Sequence, residues 1–124
     1  MKKIAFIGVG VMGKSMVRNL NKAGYHTTIF TRTKSKVDNL INEGIYWSNT
    51  IKECVQNKDI IMTMVGYPKD VEEIYYGNHG ILENAKENAI CIDFTTSAPA
   101  LAQKIYTDAK MRNIKSLDAP VSGG

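Results

Sequence analysis

Ile4-Ala5-Phe6-Ile7-Gly8-Val9-Gly10-Val11-Met12-Gly13-Lys14-Ser15-Met16 is an apolar, strand-forming run that passes directly into a Gly-x-Gly-x-x-Gly turn and then into a helix. Three closely spaced glycines also occur in ordinary turns and in other phosphate-cradling loops, so the flanking sequence decides. Residues 4–7 form a β-prone run, and Met12, Met16, Val17 and Leu20 fall on one face of a helix. In that context the spacing predicts a dinucleotide site. Gly8 would make the tight turn, Gly10 would let the backbone approach a pyrophosphate, and Gly13 would let helix and strand pack closely. The bare N–H groups at the helix start would take the anion. Gly8, Val9, Gly10, Val11, Met12 and Gly13 are therefore the first candidate cofactor contacts. The plainer alternative is a glycine-rich strand-to-helix turn in some other α/β fold.

Downstream, strands and helices alternate. Ala23-Gly24 stops the first helix, and the β-branched run His26–Phe30 is a second strand. A helix is expected over 35–43, a short third strand over 45–47, and a brief helix capped by Asn49 or Thr50 that runs to about Gln56. Residues 59–65 are nearly continuously apolar, the mark of a parallel strand covered on both faces. Tyr67-Pro68 starts another helix, residues 89–94 form a fifth strand, Ser97-Ala98-Pro99 opens a helix to about Asn113, and residues 115–118 form a sixth strand. This order predicts an α/β fold with a doubly wound, mostly parallel sheet, whose ligands bind outside the carboxyl ends of the strands.

Those strand ends supply the remaining candidates. An Asp or Glu at the end of the second strand would bond the ribose 2′-hydroxyl of NAD. Here the chain has Thr31-Arg32-Thr33-Lys34-Ser35-Lys36, cations in place of an acid, so a 2′-phosphate fits better. NADP(H) is thus the expected cofactor, with NAD the weaker alternative, and Thr31, Arg32, Thr33 and Lys36 its expected contacts. Lys34 reads as part of a solvated helix start. Met64, Val65 and Gly66 would present backbone to the adenosine and ribose side, or form an ordinary loop. Thr95 and Thr96 would place hydroxyls near the middle of the cleft, unless Thr96 only caps the next helix. Ser122, Gly123 and Gly124 offer a hydroxyl and unhindered N–H groups suited to a substrate carboxylate, or are simply a flexible terminus.

Bulk properties narrow the class. With 124 residues, 44% hydrophobic and 23% charged, the chain has the size and composition of one soluble domain. Its net charge of +4 comes from sixteen scattered Lys and Arg, without the aromatic-interleaved basic helix expected of a nucleic-acid binder. No stretch approaches the length of a membrane span, and Gly8, Gly10 and Lys14 interrupt any signal-peptide-like run after Met1-Lys2-Lys3. Cys54 and Cys91 lack metal-ligand spacing and read as reduced, buried or half-buried thiols of a cytoplasmic protein, and no metal site is expected.

Taken together, Phe6–Gly13 with Met16, Asn19 and Leu20, the Arg32-Thr33 pair, and Asp118-Ala119-Pro120-Val121-Ser122-Gly123-Gly124 resemble the β-hydroxyacid dehydrogenase family. That family includes 3-hydroxyisobutyrate dehydrogenase, tartronate semialdehyde reductase, glyoxylate/succinic semialdehyde reductase and, more distantly, 6-phosphogluconate dehydrogenase. The resemblance implies a Rossmann domain spanning 1–124 that ends inside the substrate motif 118–124. It also implies that the glycine loop binds the cofactor pyrophosphate, and that Thr96 and Ser122-Gly123-Gly124 contact the nicotinamide side and the substrate. Val9 stands where the family usually has Leu, and Val65-Gly66 where Leu-Pro is common. The family's catalytic lysine follows the Ser-Gly-Gly motif and precedes an all-helical domain, so neither is expected in this chain, and no lysine here is assigned a catalytic role. The implied activity is hydride transfer between the cofactor and a small β-hydroxyacid, or the matching aldehyde or keto acid. Its implied partners are a small-molecule carboxylate and other subunits of a homo-oligomer, joined through the helical domain. A non-catalytic NADP(H)-sensing module is the alternative; a methyltransferase, which shares the glycine loop, would want an acid after the second strand.

Overall fold

A computed structural model describes residues 2–95 and 98–119. Six strands form a single sheet: β1 (Lys3–Ile7), β2 (His26–Phe30), β3 (Tyr46–Trp47), β4 (Ile60–Thr63), β5 (Ile90–Asp93) and β6 (Lys115–Asp118). Every pairing is parallel, in the order β3-β2-β1-β4-β5-β6. The helices are α1 (Val11–Lys22), α2 (Asp38–Asn42), α3 (Ile51–Val55), α4 (Pro68–Tyr75), α5 (Ile81–Asn84) and α6 (Pro99–Lys110).

Parallel crossovers cover both faces of the sheet, which is why its central strands are apolar throughout. Alternate side chains of β1 feed two separate cores. Ala5 and Ile7 join Ile61, Cys91, Val71, Tyr75 and Ile105 on one face, whereas Phe6 joins Val17, Ile29, Val37 and Leu40 on the other. Both strand neighbours of β1 run in register with it, Phe6 lying between Ile29 and Met62. Strand order reverses between β1 and β4, and a gap between crossovers opens at their carboxyl ends.

At the opposite edge, the turns that feed β2 to β6 each contain a residue with positive φ: Gly24, Gly44, Asn57, Asn88 and Asn113. Asparagine tolerates that region better than other side chains because its short amide can bond locally. The expected helix over 35–43 instead begins as a 3₁₀ turn, Lys34–Val37, and widens into α2. Strand β4 is shorter than the expected 59–65: Met64 still donates its N–H to the Ile7 carbonyl, but Val65 turns its N–H to the Thr95 hydroxyl. Helix α5, not among the expected elements, is a single turn that buries Ile81 and Leu82.

Both cysteines are free and buried. Burial pushes each thiol up to about 12. Thiolate is the reactive form, so neither Cys54 nor Cys91 is expected to react with a disulfide reagent at pH 8 in the folded chain. Both should react in guanidinium; rapid labelling of either without denaturant would contradict the packing described.

Candidate functional site

A cleft of about 800 Å³ lies at the carboxyl ends of β1, β2 and β4, where the strand order reverses. The glycine loop forms one wall. Gly8, at φ +81°, donates its N–H to the Phe30 carbonyl at 3.0 Å and so ties the loop to β2. A Cβ on Gly8 would stand 2.4 Å from the Met64 carbonyl oxygen, so only glycine lets the β1 and β4 ends approach this closely. Gly10 has the opposite environment, since a Cβ there would meet nothing within 4 Å. It precedes α1 with no side-chain cap, and the first turn of α1 carries no acidic residue. The first intrahelical bond runs from the Lys14 N–H to the Gly10 carbonyl, at 2.8 Å. The preceding N–H groups lack intrahelical acceptors and, with the helix dipole, suit an anion.

Val9, Val11 and Met12 complete this wall, Val11 standing 87% exposed at the mouth. Gly13 is not among the residues that line the cleft. It sits on the buried face of α1, where a Cβ would lie 3.3 Å from the Phe6 ring, in keeping with the helix-to-strand packing that the motif also requires.

The second wall is the end of β2. Thr31, Arg32, Thr33 and Lys36 line it. The Thr31 hydroxyl accepts the Thr33 N–H at 3.0 Å, folding the backbone so that the Arg32 side chain leaves toward the cleft. Lys34 instead places its ammonium 5.8 Å from the Trp47 ring centroid, outside the cleft. The third wall contains Met64, Val65 and Gly66. Its shape is held by Thr95, which is 3% exposed, so the Thr95 hydroxyl is a buried brace for Val65 and not an open cleft group. Thr95 in turn donates its N–H to the Asp93 carboxylate, which also accepts the Thr63 hydroxyl at 2.7 Å. Thr96, Ser122, Gly123 and Gly124 lie outside the described residues.

Two further cleft residues carry no signal of that place in the sequence. Asp70 and Glu73, in the first turns of α4, line the cleft opposite Arg32. The Arg32 guanidinium reaches Asp70 Oδ1 at 3.4 Å and Glu73 Oε2 at 3.3 Å. Asp70 has a second task, accepting the Tyr67 N–H at the start of α4, at 3.0 Å. A carboxylate three residues after a helix start was a legible capping signal, but its partnership with an arginine 38 positions away was not.

A smaller cavity of about 320 Å³ lies between α4, α6 and the β5–β6 ends, lined by Val71, Leu101, Asp93 and Asp118 among others. Burial, and then the neighbouring Asp93 charge, raise the Asp118 carboxyl above its ordinary value. Among the described residues, neither a glycine nor a cation lines this cavity. Among the described residues no group of three or more His, Cys, Asp or Glu could hold a metal ion, and no helix is long and apolar enough to cross a membrane.

Comparison with known proteins agrees with this geometry. Residues 3–124 match the family described as the NAD binding domain of 6-phosphogluconate dehydrogenase. The chain is 52% identical to an uncharacterized oxidoreductase, YkwC, of Bacillus subtilis, over 99% of its own length and 43% of the relative's. It superposes on a Mycobacterium tuberculosis 3-hydroxyisobutyrate dehydrogenase, solved with L-serine, at TM-score 0.90 and 30% identity, covering 100% of this chain and 42% of that one. An imine reductase from Myxococcus stipitatus, solved with NADP+, matches at TM-score 0.85 and 27% identity, covering 94% of this chain and 39% of that one. The chain thus spans less than half the length of these proteins, the part that holds the sheet and its glycine loop. Sequence, sheet order and cleft together place the chain in the family of NAD-binding domains typified by that of 6-phosphogluconate dehydrogenase.

Proposed function

We propose that this chain is the NADP(H)-binding domain of an oxidoreductase that moves a hydride between the cofactor and a small β-hydroxyacid, or the matching aldehyde or keto acid. The carrying observation is one cleft that combines an uncapped α1 N-terminus, open space over Gly10 and the Arg32 guanidinium at the β2 end. These are the features that a pyrophosphate and a 2′-phosphate would each require. In this reading Gly8, Gly10 and the first turn of α1 hold the pyrophosphate, and Val9, Val11 and Met12 flank it. Arg32, Thr33 and Lys36 take the 2′-phosphate beside Thr31, and Met64-Val65-Gly66 borders the adenosine side. Gly13 sets the height of α1 above β1. When bound, the nicotinamide supplies or accepts the hydride.

Thr96 would contact the nicotinamide ribose, and Ser122, Gly123 and Gly124 would orient the substrate carboxylate. None of the chain's lysines matches the family's catalytic position, so proton transfer is assigned to a residue outside these 124. The chain alone is then expected to bind cofactor without turning over substrate. The complete enzyme is read as a cytoplasmic homo-oligomer acting on small molecules, with neither nucleic acid nor membrane as a partner. Two buried, unpaired cysteines fit a reducing compartment.

The test is a side-by-side titration of the purified chain with NADPH and NADH, read by calorimetry. NADPH is expected to bind about tenfold or more tightly than NADH, the discrimination that one charge-assisted contact supplies. Equal affinities, or preference for NADH, would overturn the assignment of the β2 end. No binding of either would overturn the cofactor reading of the cleft.

A further inference from the structure

Arg32 crosses the cleft to reach its partners. It leaves the end of β2, passes over the end of β1 and meets two carboxylates on α4, the helix that follows β4. The guanidinium proposed to receive a 2′-phosphate therefore already has acceptors in the ligand-free chain, and they are anions. Both contacts are long for charge-assisted bonds, at 3.4 and 3.3 Å. The Arg32 side chain is 74% exposed and that of Glu73 64%, whereas that of Asp70 is only 14% exposed. The Arg32–Glu73 pair, exposed on both sides, contributes little and is exchanged readily. A phosphate dianion, with more charge and a geometry matched to the guanidinium fork, is the stronger partner.

We propose that Asp70 and Glu73 compete with the cofactor's 2′-phosphate for Arg32, and so hold the preference for NADP(H) over NAD(H) below what Arg32 alone would give. The competition has two sources. Binding of the 2′-phosphate must loosen the Arg32 contacts to α4, and it brings a dianion close to two carboxylates that remain beside the same guanidinium. Neither cost falls on NAD(H), whose ribose carries a neutral hydroxyl at that place. Asp70 is fixed by its bond to the Tyr67 N–H. Glu73 has no other ion-pair or side-chain hydrogen-bond partner among the described residues, so Glu73 is the adjustable member.

This inference rests on the cofactor reading above, and Glu73→Gln separates the two. The variant removes one charge from an exposed position and keeps the length of the side chain, so the fold is expected to persist, as circular dichroism would verify. Titrated at low ionic strength, it is expected to bind NADPH about three- to tenfold more tightly than the parent chain, with NADH affinity changed less than twofold. Adenosine 2′,5′-bisphosphate should repeat the gain and 5′-AMP should not, which locates the effect at the 2′-phosphate. The gain should shrink at high salt. Unchanged NADPH affinity at low salt would overturn the competition, and weaker NADPH binding would mean that Glu73 positions Arg32 for the phosphate. A parent chain that binds neither dinucleotide would overturn the cofactor reading and this inference together.

Discussion

Gly10→Val is expected to abolish measurable dinucleotide binding while leaving the chain folded, whereas Gly8→Ala is expected to destabilise the fold itself. The space over Gly10 is open and its φ of −93° suits any residue, so valine costs about 1 kcal/mol or less of stability, mainly through a poorer helix start. Its methyl groups would nevertheless stand where pyrophosphate oxygens must approach the first N–H groups of α1. Losing two charge-assisted bonds, each worth roughly 1.5–3 kcal/mol, weakens binding on the order of a hundredfold or more. At Gly8 the clash is internal. Alanine would take a φ of +81° with its Cβ 2.4 Å from the Met64 carbonyl and 2.5 Å from Val65 Cγ1. The left-handed backbone costs about 1–3 kcal/mol, and parting β1 from the β4 loop adds to it, enough to unfold much of a marginally stable domain. Denaturant midpoints and NADPH titration on the same samples check both outcomes. Normal binding by Gly10→Val would remove the pyrophosphate from this loop, and an unshifted midpoint for Gly8→Ala would show that the loop does not have the geometry described.

Those two glycines also show what the sequence made legible. A motif that demands glycine for three different physical reasons can be read wherever strand and helix patterns flank it, and the chain carries all three, in the turn at Gly8, in the open space at Gly10 and in the packing at Gly13. The central strands were legible because buried parallel strands are written as short apolar runs, such as Ile60-Ile61-Met62. Boundaries were less so. Periodicity does not separate a 3₁₀ turn at Lys34–Val37 from the α-helix it leads into, and four residues at Ile81–Asn84 are too few to show a helical period. Thr95 was misread for another reason. Its position at a strand end pointed to the cleft, but which strand-end hydroxyl faces ligand and which braces a neighbouring loop depends on an unpaired N–H elsewhere, here that of Val65. The Asp70–Arg32–Glu73 cluster was hidden likewise, because it joins the loop after β2 to α4 across two strands of the sheet.

Arg32→Ala is expected to lower NADPH affinity about ten- to a hundredfold and to change NADH affinity by no more than a few-fold, so that most of the preference disappears. Stability should move by less than about 1 kcal/mol, because the guanidinium is exposed and its ion pairs are long. The substitution does more than remove a donor. It leaves Asp70 and Glu73 facing the cleft without their counter-ion, so a 2′-phosphate would meet net negative charge, with Lys36 the remaining cation on the β2 wall. The loss should therefore be steeper at low salt than at high salt, and steeper than loss of a positive charge against a neutral background would give. Combining Arg32→Ala with Glu73→Gln divides the two contributions. If Glu73 acted only by occupying Arg32, its removal would have no effect once the arginine is gone. If it also repels the phosphate directly, part of the gain persists, and the shortfall from additivity measures the share that passes through the guanidinium. An Arg32→Ala chain that still prefers NADPH tenfold would place the 2′-phosphate contact elsewhere on the β2 wall, at Thr33 or Lys36.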